Sequence, residues 1–208
     1  MSNWNRISMY YINALILITL LLGGCASTPH TATKPESTAD PGKTTESIAA
    51  TEIAEYRRAI TLLNDNQTAQ ARDILNAMST KHPELAGPWA NLALIDIKSQ
   101  KYDSAEANAK KAVSLDSNMS QAYSLLGYIA KEKGDFNKAV GYYQQAISAD
   151  NNYTNAYYNL ALIYDVYLQD IPNALKYYSK YLDLNTHEDK ETESVVNDLK
   201  ELLKRGTL

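Results

Sequence analysis

The side chains that could carry out chemistry are few in this sequence. It has one cysteine, Cys25, and three widely separated histidines. It has no Gly-rich phosphate loop and no nucleophile elbow. Asp183 and His187 are four residues apart, but the pair crosses a predicted helix end at Asn185. We therefore expect a protein that is not an enzyme and holds no metal and no cofactor.

Composition and charge narrow the class of protein. The chain has 208 residues, 45% of them hydrophobic and 21% charged, which is ordinary for a folded globular domain. Its net charge of -4 argues against a nucleic-acid partner, since no basic stripe is present to displace counterions from phosphates. A single cysteine excludes a disulfide framework.

The amino terminus has the pattern of an export signal. Residues 1–24 carry one charged side chain, Arg6, and an apolar run over residues 9–22. That run would span about 21 Å as a helix, whereas a bilayer core is about 30 Å thick. It ends in small residues directly before Cys25, which favours a cleaved signal peptide over residues 1–24.

Leu22-Gly23-Gly24-Cys25 resembles the lipobox of bacterial lipoproteins. The resemblance implies that Cys25 is cleaved at its amino side and carries acyl chains such as palmitate, which suffice for stable membrane anchoring. Ala26 at the next position implies the periplasmic face of the outer membrane in preference to the inner membrane. The alternative from the residues alone is an uncleaved inner-membrane anchor with an inert cysteine.

The segment after the cysteine is predicted to be a disordered tether. Residues 25–47 include six Thr and three Pro and have almost no large aliphatic side chain. Such a composition cannot bury enough apolar surface to offset the loss of chain entropy.

The remainder repeats at a period of 34 residues. Aromatic residues, leucines and small residues recur together in segments 86–119, 120–153 and 154–187, with one residue inserted near Asp170. A weaker copy over residues 52–85 is interpreted as a degenerate first repeat. The recurring positions are Trp89, Tyr123 and Tyr157; Leu92, Leu126 and Leu160; Ala93, Gly127 and Ala161; and Ala105, Ala139 and Ala174.

These positions resemble the signature of the tetratricopeptide repeat. The resemblance implies an all-α fold, a superhelix of helical hairpins with about four repeats over residues 48–187. Residues 188–206 carry an apolar stripe at helical spacing and are predicted to form a C-terminal capping helix. The alternative for this helix is a face offered to a partner's groove.

In repeats of this kind the first helix of each pair lines the concave face, where a protein partner or extended peptide binds. An amide offers a donor and an acceptor to a peptide backbone, and Tyr supplies rigid amphipathic contact area. Structural roles remain open, because Asn can bond within the fold and most Tyr residues fit repeat packing. The second rings of the Tyr pairs, Tyr142, Tyr158 and Tyr177, are predicted as the better contacts. The candidate partner-binding residues are Tyr56, Asn91, Leu94, Tyr128, Lys131, Asn155, Tyr158, Asn159 and Leu162.

Taken together, the sequence predicts a lipid-anchored periplasmic adaptor or scaffold for an envelope complex, bound to the outer membrane and to one or more envelope proteins. The alternative is a structural subunit that packs by its convex face or cap, for instance a pilotin-like factor of type IV pilus or secretion biogenesis.

Overall fold

The computed structural model describes the backbone of residues 45–206 and the side chains of residues 50–206. The predicted signal peptide, Cys25 and most of the predicted linker lie outside the described residues. Over residues 45–206 the chain forms helices and turns without a strand, which confirms the all-α prediction. The helices are α1 (Thr45–Asn64), α2 (Thr68–Lys81), α3 (Ala86–Lys98), α4 (Tyr102–Leu115), α5 (Ser120–Glu132), α6 (Phe136–Ala149), α7 (Thr154–Leu162), α8 (Ile171–Leu184) and α9 (Lys190–Lys204).

The described residues divide into two compact units, of which the first ends at Ile74 and the second begins at Leu75. In the first unit α1 begins at Thr45, so residues 45–47 of the predicted linker are helical. Ala59 and Leu63, four residues apart on one helical face, are buried in α1. Helix α1 supplies the first helix of the predicted degenerate repeat.

The second unit is a succession of helical hairpins. Its first helices α3, α5 and α7 begin at Ala86, Ser120 and Thr154, which are spaced by the 34-residue period. Each pairs with the following helix, and each hairpin packs against the next. Mostly alanine and leucine side chains fill the core between α3, α4 and α5, because small residues let the helices approach closely. The fold is thus built from stacked helical pairs, as the period predicts.

A left-handed residue closes the turn in each of these hairpins. Gln100, Gly134 and Gln169 all have positive φ, near 56°, 79° and 54°. After α3 and after α5, a backbone hydrogen bond to the residue five positions earlier closes the turn. Lys101 N–H donates to Asp96 O, and Asp135 N–H donates to Ala130 O. Glycine takes the left-handed conformation without strain, so Gly134 is a helix stop that the sequence itself predicts.

The last hairpin absorbs the inserted residue differently from the sequence prediction. Ile163–Tyr167 forms a π-helical turn at the end of α7, and the sealing bond runs six residues back, from Asp170 N–H to Tyr164 O. The extra residue is therefore accommodated within the first helix, whereas the sequence placed it near Asp170. A π turn is the ordinary way for a helix to hold one additional residue.

The C-terminal helix α9 caps the last hairpin, as predicted. Val196 and Leu199 are buried in one cluster with Tyr178 of α8. The buried part of the stripe is therefore used inside the fold, which favours the cap over a face offered to a partner. Leu203, which belongs to the predicted stripe, is instead 37% exposed.

A network of ion pairs joins neighbouring hairpins at the surface. Glu106 of α4 accepts from Lys110 Nζ at 2.6 Å and from Lys133 Nζ at 2.7 Å, and Lys133 also pairs with Asp103 at 2.8 Å. The hydrogen bonds from Lys110 and then Lys133 lower the pKa of Glu106 to about 2. The ionised carboxylate is thus more stable in the folded chain than in the unfolded one.

We expect Glu106→Gln to lower the free energy of unfolding by about 1 kcal/mol at neutral pH, because the pairs lie near the surface. A lowered folded-state pKa gives stability that is present above the ordinary value of 4.5 and is lost as the pH falls toward about 2. The difference between Glu106→Gln and the parent should therefore shrink over that interval. Urea unfolding at neutral pH and at several acidic pH values measures it. Asp198→Asn, on the exposed side of α9, is the control, and a pH-independent difference for Glu106→Gln would contradict the assignment.

Candidate functional site

Four side chains near the end of α5 form a mixed aromatic and charged group, which we call the Glu132 cluster: Tyr102, Tyr128, Lys131 and Glu132. Lys131 Nζ lies 2.6 Å from Glu132 Oε1 and 4.3 Å from the centroid of the Tyr128 ring. Tyr102 Oη donates to Glu132 Oε2 at 3.3 Å. An ammonium group, an aromatic face and a carboxylate therefore meet at one point of the surface.

Helical spacing and hairpin packing bring the Glu132 cluster together. Tyr128, Lys131 and Glu132 stand at i, i+3 and i+4 in α5, so they share one side of the helix. Tyr102 is the first residue of α4 and reaches them from the preceding hairpin. The cluster thus depends on the packing of α4 against α5.

Burial and the Glu132 carboxylate keep the phenols protonated. Burial, and then the charge of Glu132, raises the pKa of both Tyr128 and Tyr102 above 10.0. A phenol with its ordinary pKa of 10.0 is already a hydrogen-bond donor at neutral pH, and the raised pKa extends this to higher pH, which suits both side chains to a carboxylate acceptor.

Tyr143 of α6 lies behind this group and is fully buried. Its ring packs on Gly127, where an added Cβ would lie 2.8 Å from Tyr143 Cε1. Burial raises the pKa of Tyr143 well above 10.0, with smaller contributions from Tyr128, Tyr153 and Glu132. Gly127, one of the recurring small residues of the repeat, thus admits a large ring, and this ring supports α5 from inside.

The predicted amide contacts Asn91 and Asn159 bond within their own helices. Asn91 is 5% exposed and its Nδ2 donates to Gly87 O at 3.0 Å. Asn159 is half-buried and its Nδ2 donates to the carbonyl of Asn155 at 2.8 Å. In this structure Asn91 is not open to a partner, because the side chain lies inside the fold. Asn155 and Asn159 are brought together, and both keep some exposed surface.

The second rings of the Tyr pairs take part in packing. Tyr158 is half-buried and meets Tyr178 and Tyr181 edge to face, with centroids 5.7 and 5.2 Å apart. Burial, with help from Asp189, raises its pKa to about 12. Tyr177 stacks on Tyr164 at 5.6 Å. Tyr142 likewise packs against two core clusters. All three rings pack against neighbouring helices and are only half-buried, so their role as partner contacts stays a prediction.

The remaining predicted residues are distributed over both units. Tyr56 is half-buried on α1 in the first unit. Leu94 packs partly against the core of α3, α4 and α5. Leu162 is half-buried at the end of α7. Tyr128 and Lys131 are the predicted residues that the structure brings together beside a carboxylate, that of Glu132.

Sequence reasoning missed two features of this region. Tyr102 was not among the predicted contacts, although its hydroxyl reaches Glu132 across 30 positions of sequence. Asp96 of α3 is 1% exposed and accepts from Ser104 Oγ at 2.6 Å and Asn108 Nδ2 at 2.9 Å. The 34-residue period indicates that Asp96 occupies a buried position, because Asp96 lies 34 residues before Ala130, which is buried.

Within residues 45–206, no group of three or more His, Cys, Asp or Glu side chains is arranged to hold a metal ion. In the same part of the chain, none of the helices has the length and apolar character that crossing a bilayer requires. The Glu132 cluster offers hydrogen bonds, an aromatic face and charge, which are the means of non-covalent recognition.

Two family models match the sequence. The model described as the tetratricopeptide repeat protein 21 C-terminal ARM domain matches residues 42–169. A tetratricopeptide-repeat model matches residues 154–187, which include α7 and α8.

Among individual proteins, the uncharacterized protein ycf37 of Pyropia yezoensis is 38% identical over 73 residues, covering 34% of this chain. The match spans only 40% of that relative's length. The solved structure of Pseudomonas aeruginosa pilF has a TM-score of 0.67 and 22% identity, over 76% of this chain and 71% of that one. The first tetratricopeptide repeat domain of Spaghetti (RPAP3), bound to the HSP90 peptide SRMEEVD, has a TM-score of 0.52 and 20% identity, over 57% and 93%. At these identities the structural likenesses show the fold.

Proposed function

We propose that this chain, which belongs to the family described as the tetratricopeptide repeat protein 21 C-terminal ARM domain, is a non-enzymatic adaptor that binds protein partners. The observation that carries this proposal is the Glu132 cluster, in which an aromatic face and a carboxylate reach the surface on the first helix of a repeat. Aromatic and charged side chains of this kind dominate the energetics of protein interfaces. A similar fold in the RPAP3 domain is bound to a peptide, which supports the same use of the fold here.

We further propose that the adaptor works in a bacterial envelope, tethered by lipid on Cys25 to the periplasmic face of the outer membrane. The support is the sequence around Cys25 and the Thr- and Pro-rich segment after it. A tether of this kind raises the effective concentration of the repeat domain for membrane-bound partners.

Cys25→Ser should leave an uncleaved, unlipidated precursor, because the acyl-accepting sulfur is absent. Metabolic labelling with a palmitate analogue and the size of the chain on gels measure the result. Cys25→Ala should behave in the same way, whereas Ser27→Ala is the control and should mature normally. Normal maturation of the Cys25→Ser protein would contradict the anchor without affecting the proposal of an adaptor.

Site-specific photocrosslinking tests the adaptor itself. A photoreactive phenylalanine derivative at Tyr128, which keeps an aromatic ring in the Glu132 cluster, should crosslink to a discrete partner in cells. The same group at Gln145, exposed on the second helix of the same repeat, is the control. Crosslinking from Gln145 or Leu203 but not from Tyr128 would instead favour the structural subunit that packs by its outer face or cap, the pilotin-like alternative included.

A further inference from the structure

The Glu132 cluster already holds a cation, and the cation comes from the chain itself. Lys131 Nζ lies 4.3 Å from the Tyr128 centroid and 2.6 Å from Glu132 Oε1. A cation within about 6 Å of a ring centroid is attracted by the negative face of the π system. The geometry of these groups is therefore that of a cation-recognition site with an internal occupant.

Lys131 is an internal occupant that an incoming cation can replace. Its side chain is 14% exposed and that of Glu132 is 29% exposed, so the pair lies at the edge of the surface. A partner's cation at the same place makes the ring and carboxylate contacts that Lys131 gives up, so the exchange does not leave the Glu132 carboxylate without a cation.

A cationic side chain from outside can satisfy the same groups in better geometry. A guanidinium presents a planar fork of N–H donors to a carboxylate and stacks its face on an aromatic ring. The Tyr102 bond to Glu132 is exposed to solvent, so a partner's side chain can reach the carboxylate. The chain carries a net charge of -4, which complements a basic partner.

We propose that the Glu132 cluster is a subsite for an arginine or lysine side chain of a partner segment, which replaces Lys131 between the Tyr128 ring and the Glu132 carboxylate. The proposal rests on the adaptor function proposed above and specifies the chemistry of the partner. In the unbound protein Lys131 holds the place of the partner's cation, and on binding its ammonium moves out to solvent.

The test uses N-acetyl-arginine amide as the probe and the full chain with its tyrosine rings isotope-labelled. Titration at constant ionic strength should shift the ring signals of Tyr128 and Tyr102 in NMR spectra. N-acetyl-citrulline amide has nearly the same shape without the charge, and it should shift them at least several-fold less. Equal shifts with the two probes would overturn the proposal.

Three variants separate a cation subsite from a general surface effect. Glu132→Gln should abolish the preference for arginine over citrulline. Lys131→Met should tighten arginine binding by about threefold, because the internal competitor is gone. Lys133→Met, which removes a cation paired with Asp103 and Glu106, is the control and should leave the affinity unchanged. Weaker binding by Lys131→Met would mean that Lys131 itself contacts the partner, and the proposal would be wrong.

Two further outcomes separate this inference from the adaptor function. If crosslinking from Tyr128 persists unchanged in Glu132→Gln, the adaptor stands and the cation subsite falls. If Lys34→Gln with Lys43→Gln shifts the Tyr128 signals without any probe, the chain's own segment occupies the cluster, and the proposal of a partner's side chain is wrong.

Discussion

Leu199→Ala should lower the free energy of unfolding by about 3 kcal/mol. Leu199 of α9 is fully buried in one cluster with Ile171, Ala174 and Tyr178 of α8. The substitution removes apolar surface from the core and leaves a cavity that the surrounding helices fill only in part. Urea unfolding followed by circular dichroism measures the change in the transition midpoint.

Leu203→Ala is the matched control for this expectation, because Leu203 lies on the same helix and is 37% exposed. Its effect should stay within about 0.5 kcal/mol. Equal effects of the two substitutions would contradict the assignment of Leu199 as the residue that fixes the cap. A lowered slope for Leu199→Ala would indicate that α9 detaches before the hairpins unfold, since the slope follows the surface exposed on unfolding.

Gly127→Ala should lower the free energy of unfolding by about 2 kcal/mol. The new Cβ would lie 2.8 to 2.9 Å from three atoms of the Tyr143 ring. That ring is fully buried, so it has little room to retreat without moving α5 away from α6. Because helix propensity favours Ala over Gly by about 1 kcal/mol, the observed loss is the steric penalty after that gain has been subtracted.

Gly141→Ala on α6 isolates the propensity contribution. An added Cβ at Gly141 meets nothing within 4 Å, so this change should leave stability equal or raise it by up to about 1 kcal/mol. Tyr143→Leu should recover part of the loss when combined with Gly127→Ala, because it removes the ring that the Cβ meets. A neutral Gly127→Ala would contradict the close approach, and thermal unfolding of the three variants distinguishes these outcomes.

The sequence was sufficient for the hairpins because their helices bury small and aromatic residues at a fixed period. Gly127 and Ala139 were found as recurring small residues from spacing alone, and both are buried. The turn at Gly134 was also predictable, since glycine adopts the left-handed conformation without strain. Gln100 and Gln169 take the same conformation without a local signal, so only comparison along the repeat identifies them.

The candidate site was harder to predict because hydrogen-bond partners are chosen in three dimensions. Asn91 and Asn159 have the right side chains for a peptide contact, but each reaches its own helix backbone four residues back. Tyr158 was expected on the surface, but Tyr181 and Tyr178 lie beside it. The pairing of Tyr102 with Glu132 depends on how α4 meets α5, and a helical pattern does not contain that information.

The π-helical turn at Ile163–Tyr167 has a consequence for how such a domain can change in length. A one-residue insertion in a regular helix would rotate every later side chain by about 100° and move the apolar face of α8 off its neighbours. The wide turn takes up the extra residue locally, so Ala174 and Tyr178 still enter the core in the register of Ala139 and Tyr143. A repeat that loses or gains one residue at this turn can therefore keep the packing of the other helices unchanged. Related repeats are expected to differ in length at this turn.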